Sequence, residues 1–346
     1  MFVFTSNLRT MMKNRLILIL FCLVSLVSLG AYGGNTSTSN YSLIDKDKLA
    51  RPTPKFAVFA DFLYWHASEE TSSSWVYVPQ LPNITAPNVY FGWSPGVRTG
   101  IKYELNDLVD TQIYWTYFTT RSQEAFTASP NQTVVPEFFN GFTTLTPFTS
   151  GKVNWQLTMN MIDLEVGHRF NPLDSLAVRP FIGVKGGSIN QGVNSTWNFQ
   201  GELFDIFPIA YGATEKLKNN FSGVGPSFGI DSKWKLYKNF NIRGDFSSAW
   251  LWGKWNIQDI YSGPSLSGLQ LATTISTNTS NSLGSLMLRY FAGIDWTYEA
   301  KASVTLKVGY EMQYWMNQLR LPLFQQVPVH GDLTLQGGTC GILIKF

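Results

Sequence analysis

The chain has 346 residues, a formal net charge of +3, 14% charged and 15% aromatic residues, and a mean hydropathy of -0.04. So small a positive excess gives no ground for a nucleic-acid partner. No run of about 18 apolar residues occurs after residue 34, which excludes transmembrane helices there.

At the start of the chain, Lys13 and Arg15 precede an apolar run from Leu16 to Leu29, interrupted only by Ser25 and Ser28. That length suits a signal-peptide h-region better than an anchor helix, and Ala31-Tyr32-Gly33 offers small residues for cleavage. Residues 1–33 are therefore expected to be a signal peptide, with Met11 and Met12 as alternative starts. Phe21 before Cys22 argues against a lipoprotein site. Removal of the signal leaves Cys340 alone, so no internal disulfide forms and Cys340 reads as a small hydrophobe. Residues 34–54 are polar and read as a flexible periplasmic lead-in.

From residue 55 onward the pattern is strand-like. Val97, Thr99, Ile101 and Tyr103 oppose Arg98, Gly100, Lys102 and Glu104; Ile162, Leu164 and Val166 oppose Asp163, Glu165 and Arg169. Leu176, Val178, Pro180, Ile182 and Val184 oppose Ala177, Arg179, Phe181, Gly183 and Lys185. Pro180 cannot donate to a ladder, so a bulge is expected there. Ile242, Phe246 and Trp250 oppose Arg243, Asp245 and Ser247. Leu286 to Tyr298 alternates against Arg289, Gly293 and Asp295. The longest alternation sets Val304, Leu306, Val308, Tyr310, Met312, Tyr314 and Met316 against Lys307, Gly309, Glu311, Gln313 and Trp315. It exceeds a typical soluble strand and matches the roughly 9–11 residues of a tilted membrane strand.

The strands are expected at 55–66, 90–104, 110–121, 152–170, 175–191, 217–236, 240–256, 284–298, 302–317 and 332–346. The last one carries Cys340, Ile342, Ile344 and Phe346 on one face. The connections alternate: short at 105–107, 171–174, 237–239 and 299–301, long at 67–89, 122–151, 192–216, 257–283 and 318–331. The long ones, rich in Ser, Thr, Asn and Pro, read as exposed loops. A soluble β-sandwich shares the Gly and aromatic richness but has no reason to alternate its connections. The expected fold is all-β: a transmembrane antiparallel up-and-down barrel of about ten strands over residues 55–346, its first and last strands paired. Both termini then lie in the periplasm of a bacterium whose outer membrane holds the barrel.

A Lys or Arg facing lipid costs about 2–4 kcal/mol at the midplane, so the charges are expected inside. The lumen-lining candidates are Arg98, Lys102, Asp163, Glu165, Arg179, Lys185, Arg243, Asp245, Arg289, Asp295, Lys307 and Glu311. They either line a water-filled pore without strong ion preference or pair across a narrow lumen and plug it, since about eight strands already give an interior that side chains fill. Phe62, Tyr64, Trp65, Trp250, Trp252, Tyr314 and Trp315 read as an aromatic girdle; stacking sites for sugar are the sharper alternative. There is no GxSxG, phosphate loop, CxxC or metal-ligand cluster, so no enzyme, cofactor or metal is expected. His66, His330 and Asp332 are expected near one rim, where some ten-stranded outer-membrane proteases use Asp and His; polar rim residues in water explain them more simply.

Several segments, in order, resemble the major outer-membrane proteins of the Legionella type, which have relatives in chlamydia-like bacteria. They are Asp61-Phe62-Leu63-Tyr64-Trp65, the run from Trp93 to Gly100, Asp163-Leu164-Glu165-Val166-Gly167, Arg179-Pro180-Phe181-Ile182-Gly183, the run from Gly223 to Gly229, and the run from Gly309 to Gln318. The resemblance spans residue 55 to the end and implies a pore-forming outer-membrane barrel with no catalytic residues. The disulfide-rich pattern of the chlamydial proteins is absent. The ending resembles the C-terminal aromatic signal read by the barrel-assembly machinery, with Ile342, Ile344 and Phe346 as the assembly signal. The expected function is a porin for small solutes and ions, in contact with outer-membrane lipid and open to self-association. The alternative is a non-conducting surface adhesin or structural envelope barrel that acts through its loops.

Overall fold

The computed structural model describes residues 55–70, 75–77, 88–130, 132–136, 148–203, 207–263, 273–299, 302–321 and 329–346. The expected signal peptide, lead-in and parts of several connections lie outside them. The described residues contain no α-helix. They form β1 (Lys55–Glu69), β2 (Val76–Tyr77), β3 (Ser94–Glu104), β4 (Val109–Thr127), β5 (Val135–Pro136), β6 (Ser150–His168), β7 (Phe170–Leu173), β8 (Leu176–Leu203), β9 (Phe207–Tyr237), β10 (Phe240–Gly263), β11 (Thr273–Glu299), β12 (Ser303–Leu321) and β13 (Val329–Lys345). Ten of them, β1-β3-β4-β6-β8-β9-β10-β11-β12-β13, follow one another antiparallel round a barrel. Closure is by β1 on β13, where Asp61 faces Gly341 and Trp65 faces Gly337. β2 and β5 pair separately, and β7 is a short addition to β8.

The outward face explains why these residues form a membrane barrel. Ile182 is 71% exposed and Leu236 67%, and Val184, Val224, Val308 and Tyr310 are exposed with them. Such a surface needs hydrocarbon around it. Aromatic residues bound this band. Stacked Trp296 and Tyr298 and stacked Phe56 and Phe346 lie at the rim that carries the two termini of the barrel sheet, Lys55 and Phe346; stacked Trp250 and Trp252 and stacked Tyr64 and Trp93 lie at the far side. From Phe240 to Trp252 a strand tilted by about 40° climbs about 30 Å, a hydrocarbon thickness.

Three expectations need correction. The strands overrun the expected boundaries: β8 and β9 stay paired as far as Leu203↔Phe207, and β10 and β11 from Phe240↔Trp296 to Gly263↔Thr273. The connections expected at 192–216 and 257–283 are therefore mostly strand. Asn194, Thr196, Asn198, Thr214, Ser276, Ser280 and Ser282 are exposed on a sheet that rises out of the apolar band. Secondly, Pro180 makes no bulge. It pairs in register with Ile230, and β6 stops at Gly167↔Phe181 while β7 resumes at Phe170↔Val178, so its missing N–H falls between two ladders. Thirdly, Trp65 and Trp315 are fully buried inside and do not belong to the girdle. At the end of β12 far from that rim, the register against β13 slips between Trp315 and Leu319. Asn317 takes a left-handed conformation (φ 52°) that Asn tolerates, and its N–H donates to Asp332 Oδ1 at 2.7 Å.

Candidate functional site

Alternation puts every second residue inside, and the inward face has two zones. Near the terminus-bearing rim it is charged. In β6 it reads Gly167, Glu165, Asp163 and then Met161, Met159, Leu157, Trp155 and Val153, all buried. The outward face inverts with it, from Val166, Leu164 and Ile162 to Asn160, Thr158, Gln156 and Asn154. β8 does the same, with Arg179 and Lys185 inside followed by Ile189, Val193 and Trp197; β10 passes from Arg243 and Asp245 to Leu251, Trp255 and Ile257. The lower part of the barrel is inside-out, as lipid demands, and the upper part is built like a water-soluble β-barrel.

All twelve lumen candidates lie in the charged zone, and each has an oppositely charged neighbour. Arg98 donates two bonds to Glu311, at 2.9 Å and 2.7 Å, across the lumen from β3 to β12. Arg289 Nε donates to the same carboxylate at 2.8 Å, and Lys307 pairs with Asp61 at 2.8 Å. Arg98 Nε also reaches Thr116 Oγ1 at 3.1 Å, and Gln313 reaches Glu311 at 3.0 Å. A second cluster centres on Arg179, which contacts Asp110 at 2.7 Å, Glu165 at 3.3 Å and Asp231 at 2.8 Å. Lys102 holds the other oxygen of Asp110 at 2.9 Å, and the Tyr114 hydroxyl donates to Glu165 at 2.7 Å. Asp163 and Lys185 pair at 2.5 Å, Asp295 and Lys233 at 3.2 Å, and Arg243 and Asp245 at 3.1 Å. Small residues admit these long side chains. A Cβ on Gly167 would meet the Arg179 guanidinium, and one on Gly341 would meet the Asp61 carboxylate. Gly167→Val is accordingly expected to displace Arg179 and to lower the temperature at which the folded, fast-migrating form disappears from unboiled gels. Unchanged migration and melting would refute that packing.

Nine of the twelve candidates, Arg98, Lys102, Glu165, Arg179, Arg243, Asp245, Arg289, Asp295 and Lys307, line a cavity of about 480 Å³, whereas Asp163, Lys185 and Glu311 pair behind its wall. It reaches the rim residues Glu104, Arg169, Ser303 and Lys345 and extends inward to Arg98 and Arg289. Beyond it lies an apolar layer of Leu63, Trp65, Phe118, Met161, Met287 and Trp315, all buried in one hydrophobic cluster. The Arg98 guanidinium sits 5.8 Å from the Trp65 ring, where the two zones meet. The same cluster continues outward through Trp155 and Trp197, against which Phe91 and Trp75 pack at 5.4 Å and 5.5 Å.

Reading the strands one at a time overlooked this layer, although the signal was present: apolar residues move from even to odd positions between Ile162 and Met161. It also passed over Asp110, Tyr114 and Lys345 as members of the charged zone. The rim constellation of His66, His330 and Asp332 is not assembled. His66 stacks outward on Tyr90 and Trp93 and stands opposite Gln336, whereas Asp332 accepts from Tyr314 and Asn317; the His330 side chain lies outside the described residues. Among the described residues no group of three acidic, His or Cys side chains is arranged to hold a metal.

Among solved structures, the outer membrane protease OmpT of Escherichia coli aligns with 84% of this chain and 96% of its own, at 10% identity and a TM-score of 0.38. A Pseudomonas aeruginosa FadL homologue aligns with 85% of this chain and 90% of its own, at 6% identity and a TM-score of 0.23. The Pseudomonas putida toluene transporter TodX covers 89% and 95%, at 7% identity and a TM-score of 0.22. All three are too distant to say anything of this chain's activity. No curated protein matches the chain. The family model described as Legionella pneumophila major outer membrane protein precursor matches residues 50–346, the whole of the barrel. With the lipid-facing band already established, that match shows that this chain belongs to the Legionella major outer membrane protein family and is a bacterial outer-membrane β-barrel.

Proposed function

We propose that the barrel is a porin-like path for small solutes and ions, shut in the described conformation by the apolar layer above its charged vestibule. The terminus-bearing rim faces the periplasm and the long β8–β11 strands project outward. The observation that carries this reading is the contrast between the two zones. Buried ion pairs are costly, and apolar side chains of similar volume fill a lumen at least as well. The outer zone uses that apolar filling. The inner zone keeps ionised groups around about 480 Å³ of open volume, which suits passing water and ions. Both signs occur throughout, so selectivity is expected to be weak.

Planar bilayers test the proposal. Purified protein should give small, infrequent unitary steps, and variants thinned in the apolar layer should give larger and more frequent ones. Silence from both would leave the second reading, a non-conducting envelope barrel acting through its outer part. That reading has its own support, since the hydrophobic cluster runs on into Trp75 and Phe148 at the outer end. Assembly supplies a further prediction. Phe346 N–H donates to Phe56 O at 2.8 Å and the two rings stack, so the last residue completes the seam. Deleting Phe346 should lower outer-membrane levels several-fold and raise periplasmic degradation, as expected if the barrel-assembly machinery reads this end. Equal levels in fractionated cells would remove that role.

A further inference from the structure

The outward face of five successive strands, β4-β6-β8-β9-β10, changes character at one line. The cross-strand row Trp115, Ile162, Gly186, Val224 and Trp252 is the last apolar one. The next five rows, from Tyr117–Asn160–Ser188–Ser222–Lys254 up to Ala125–Lys152–Thr196–Thr214–Ser262, are almost wholly polar. They contain five basic residues, Arg121, Lys152, Lys216, Lys218 and Lys254, all exposed. They contain no acidic residue. The acids on the same stretches, Glu124, Glu215 and Asp259, all occupy inward positions, and Glu215 and Asp259 are buried.

A face that merely met water would carry both signs. Here the acids are turned inside and only cations are left out. With about 3.3 Å rise and about 40° tilt, the five rows stand about 5 to 25 Å above the aromatic line. Headgroups reach about 5–7 Å beyond hydrocarbon on each side, so the first row, with Lys254, stands at phosphate depth and Arg121, Lys218, Lys216 and Lys152 stand above it, where the sugars of a glycolipid headgroup extend. Arg121 and Lys218 lie in one row, bridged by Gln156 and Gly192, and Lys216 is in the next row beside Asn194. Amide and hydroxyl donors between the cations complete a surface that holds phosphate oxygens from several directions. The opposite sector differs: it carries acids at Glu70, just past the end of β1, and at Asp332 on β13.

We propose that this sheet face binds the phosphorylated headgroups of outer-leaflet lipid, holding one side of the barrel against anionic glycolipid. The assignment to the outer leaflet rests on the orientation proposed above. The test uses full-length purified protein in neutral detergent, titrated with diphosphorylated lipid A in mixed micelles, with the unfolding temperature as readout. Wild type should gain stability with lipid A, and Arg121→Gln/Lys216→Gln/Lys218→Gln/Lys254→Gln should need at least about tenfold more lipid for the same gain. Dephosphorylated lipid A and inorganic phosphate should both give little. An equal gain with inorganic phosphate would reassign the face to free anions. An unchanged titration of the quadruple variant would overturn the proposal, provided its melting without lipid matches wild type. Orientation is read separately, with Thr196→Cys in a Cys340→Ser background and a membrane-impermeant maleimide on intact cells. Labelling without lipid binding refutes the headgroup site alone. Lipid binding with labelling only after lysis refutes the orientation, and the outer-leaflet assignment with it.

Discussion

Glu311→Leu is expected to destabilise the barrel by about 3–5 kcal/mol, the range for removing one partner of a buried ion pair. Glu311 is 0% exposed and accepts bonds from Arg98, Arg289 and Gln313 at once. Its removal leaves two guanidinium groups of like sign in a narrow lumen, with Asp61 3.7 Å from Arg98 as the nearest remaining carboxylate contact. Asp61 is already engaged by Lys307. The double variant Arg98→Met/Glu311→Leu should lose less than Glu311→Leu alone, because no cation at position 98 is then orphaned and the methionine packs under Trp65. Urea unfolding of protein refolded into detergent, followed by tryptophan fluorescence, measures both. A single variant within about 1 kcal/mol of wild type would show that water in the cavity solvates Arg98 and Arg289 well enough without Glu311.

Thinning the apolar layer should change conduction more than any other substitution. Trp65 and Trp315 are fully buried in it, and their indole N–H groups reach Thr339 at 3.3 Å and Gln313 at 3.2 Å. A hydrophobic constriction holds a pore shut by excluding water as well as by filling space. Trp65→Ser/Trp315→Ser removes both rings and adds hydroxyls, so water should cross the layer and conductance should rise several-fold over wild type. The cost in stability is large, since emptying one Trp site takes about 3–5 kcal/mol. Retained heat-shifted migration on gels is the control that the barrel still forms. If wild type conducts, a folded double variant with no more current would place the block farther out, at Trp75, Phe91 and Trp155, and would count against this layer as the gate.

The lower barrel was legible because lipid imposes one rule on every strand. Val304, Leu306, Val308 and Tyr310 alternate against Lys307, Gly309 and Glu311, and the sign of each face follows from the cost of charge in hydrocarbon. The upper barrel obeyed an equally simple rule, apolar inside and polar outside. It was read as loop because runs such as Gly192 to Asn198 and Thr273 to Ser282 are made of residues that turns also favour. Pro180 misled for a related reason: its fault depends on which neighbouring strand stands beside it, and that is a property of the sheet.

By itself the amino-acid sequence determined that strands cross a membrane, which face of each lower strand is apolar, how the first and last strands close the ring, and that charges lie within it. All of these follow from local alternation and from the cost of exposing charge or backbone to hydrocarbon. Only the tertiary structure decided that Arg98 meets Glu311, 213 positions away, and that Asp110, Glu165 and Asp231 converge on Arg179. It alone decided that Trp65 and Trp315 cap the vestibule and do not face lipid. Those outcomes depend on strand stagger around a closed ring, which sets the height at which inward side chains meet, and no single strand carries that information.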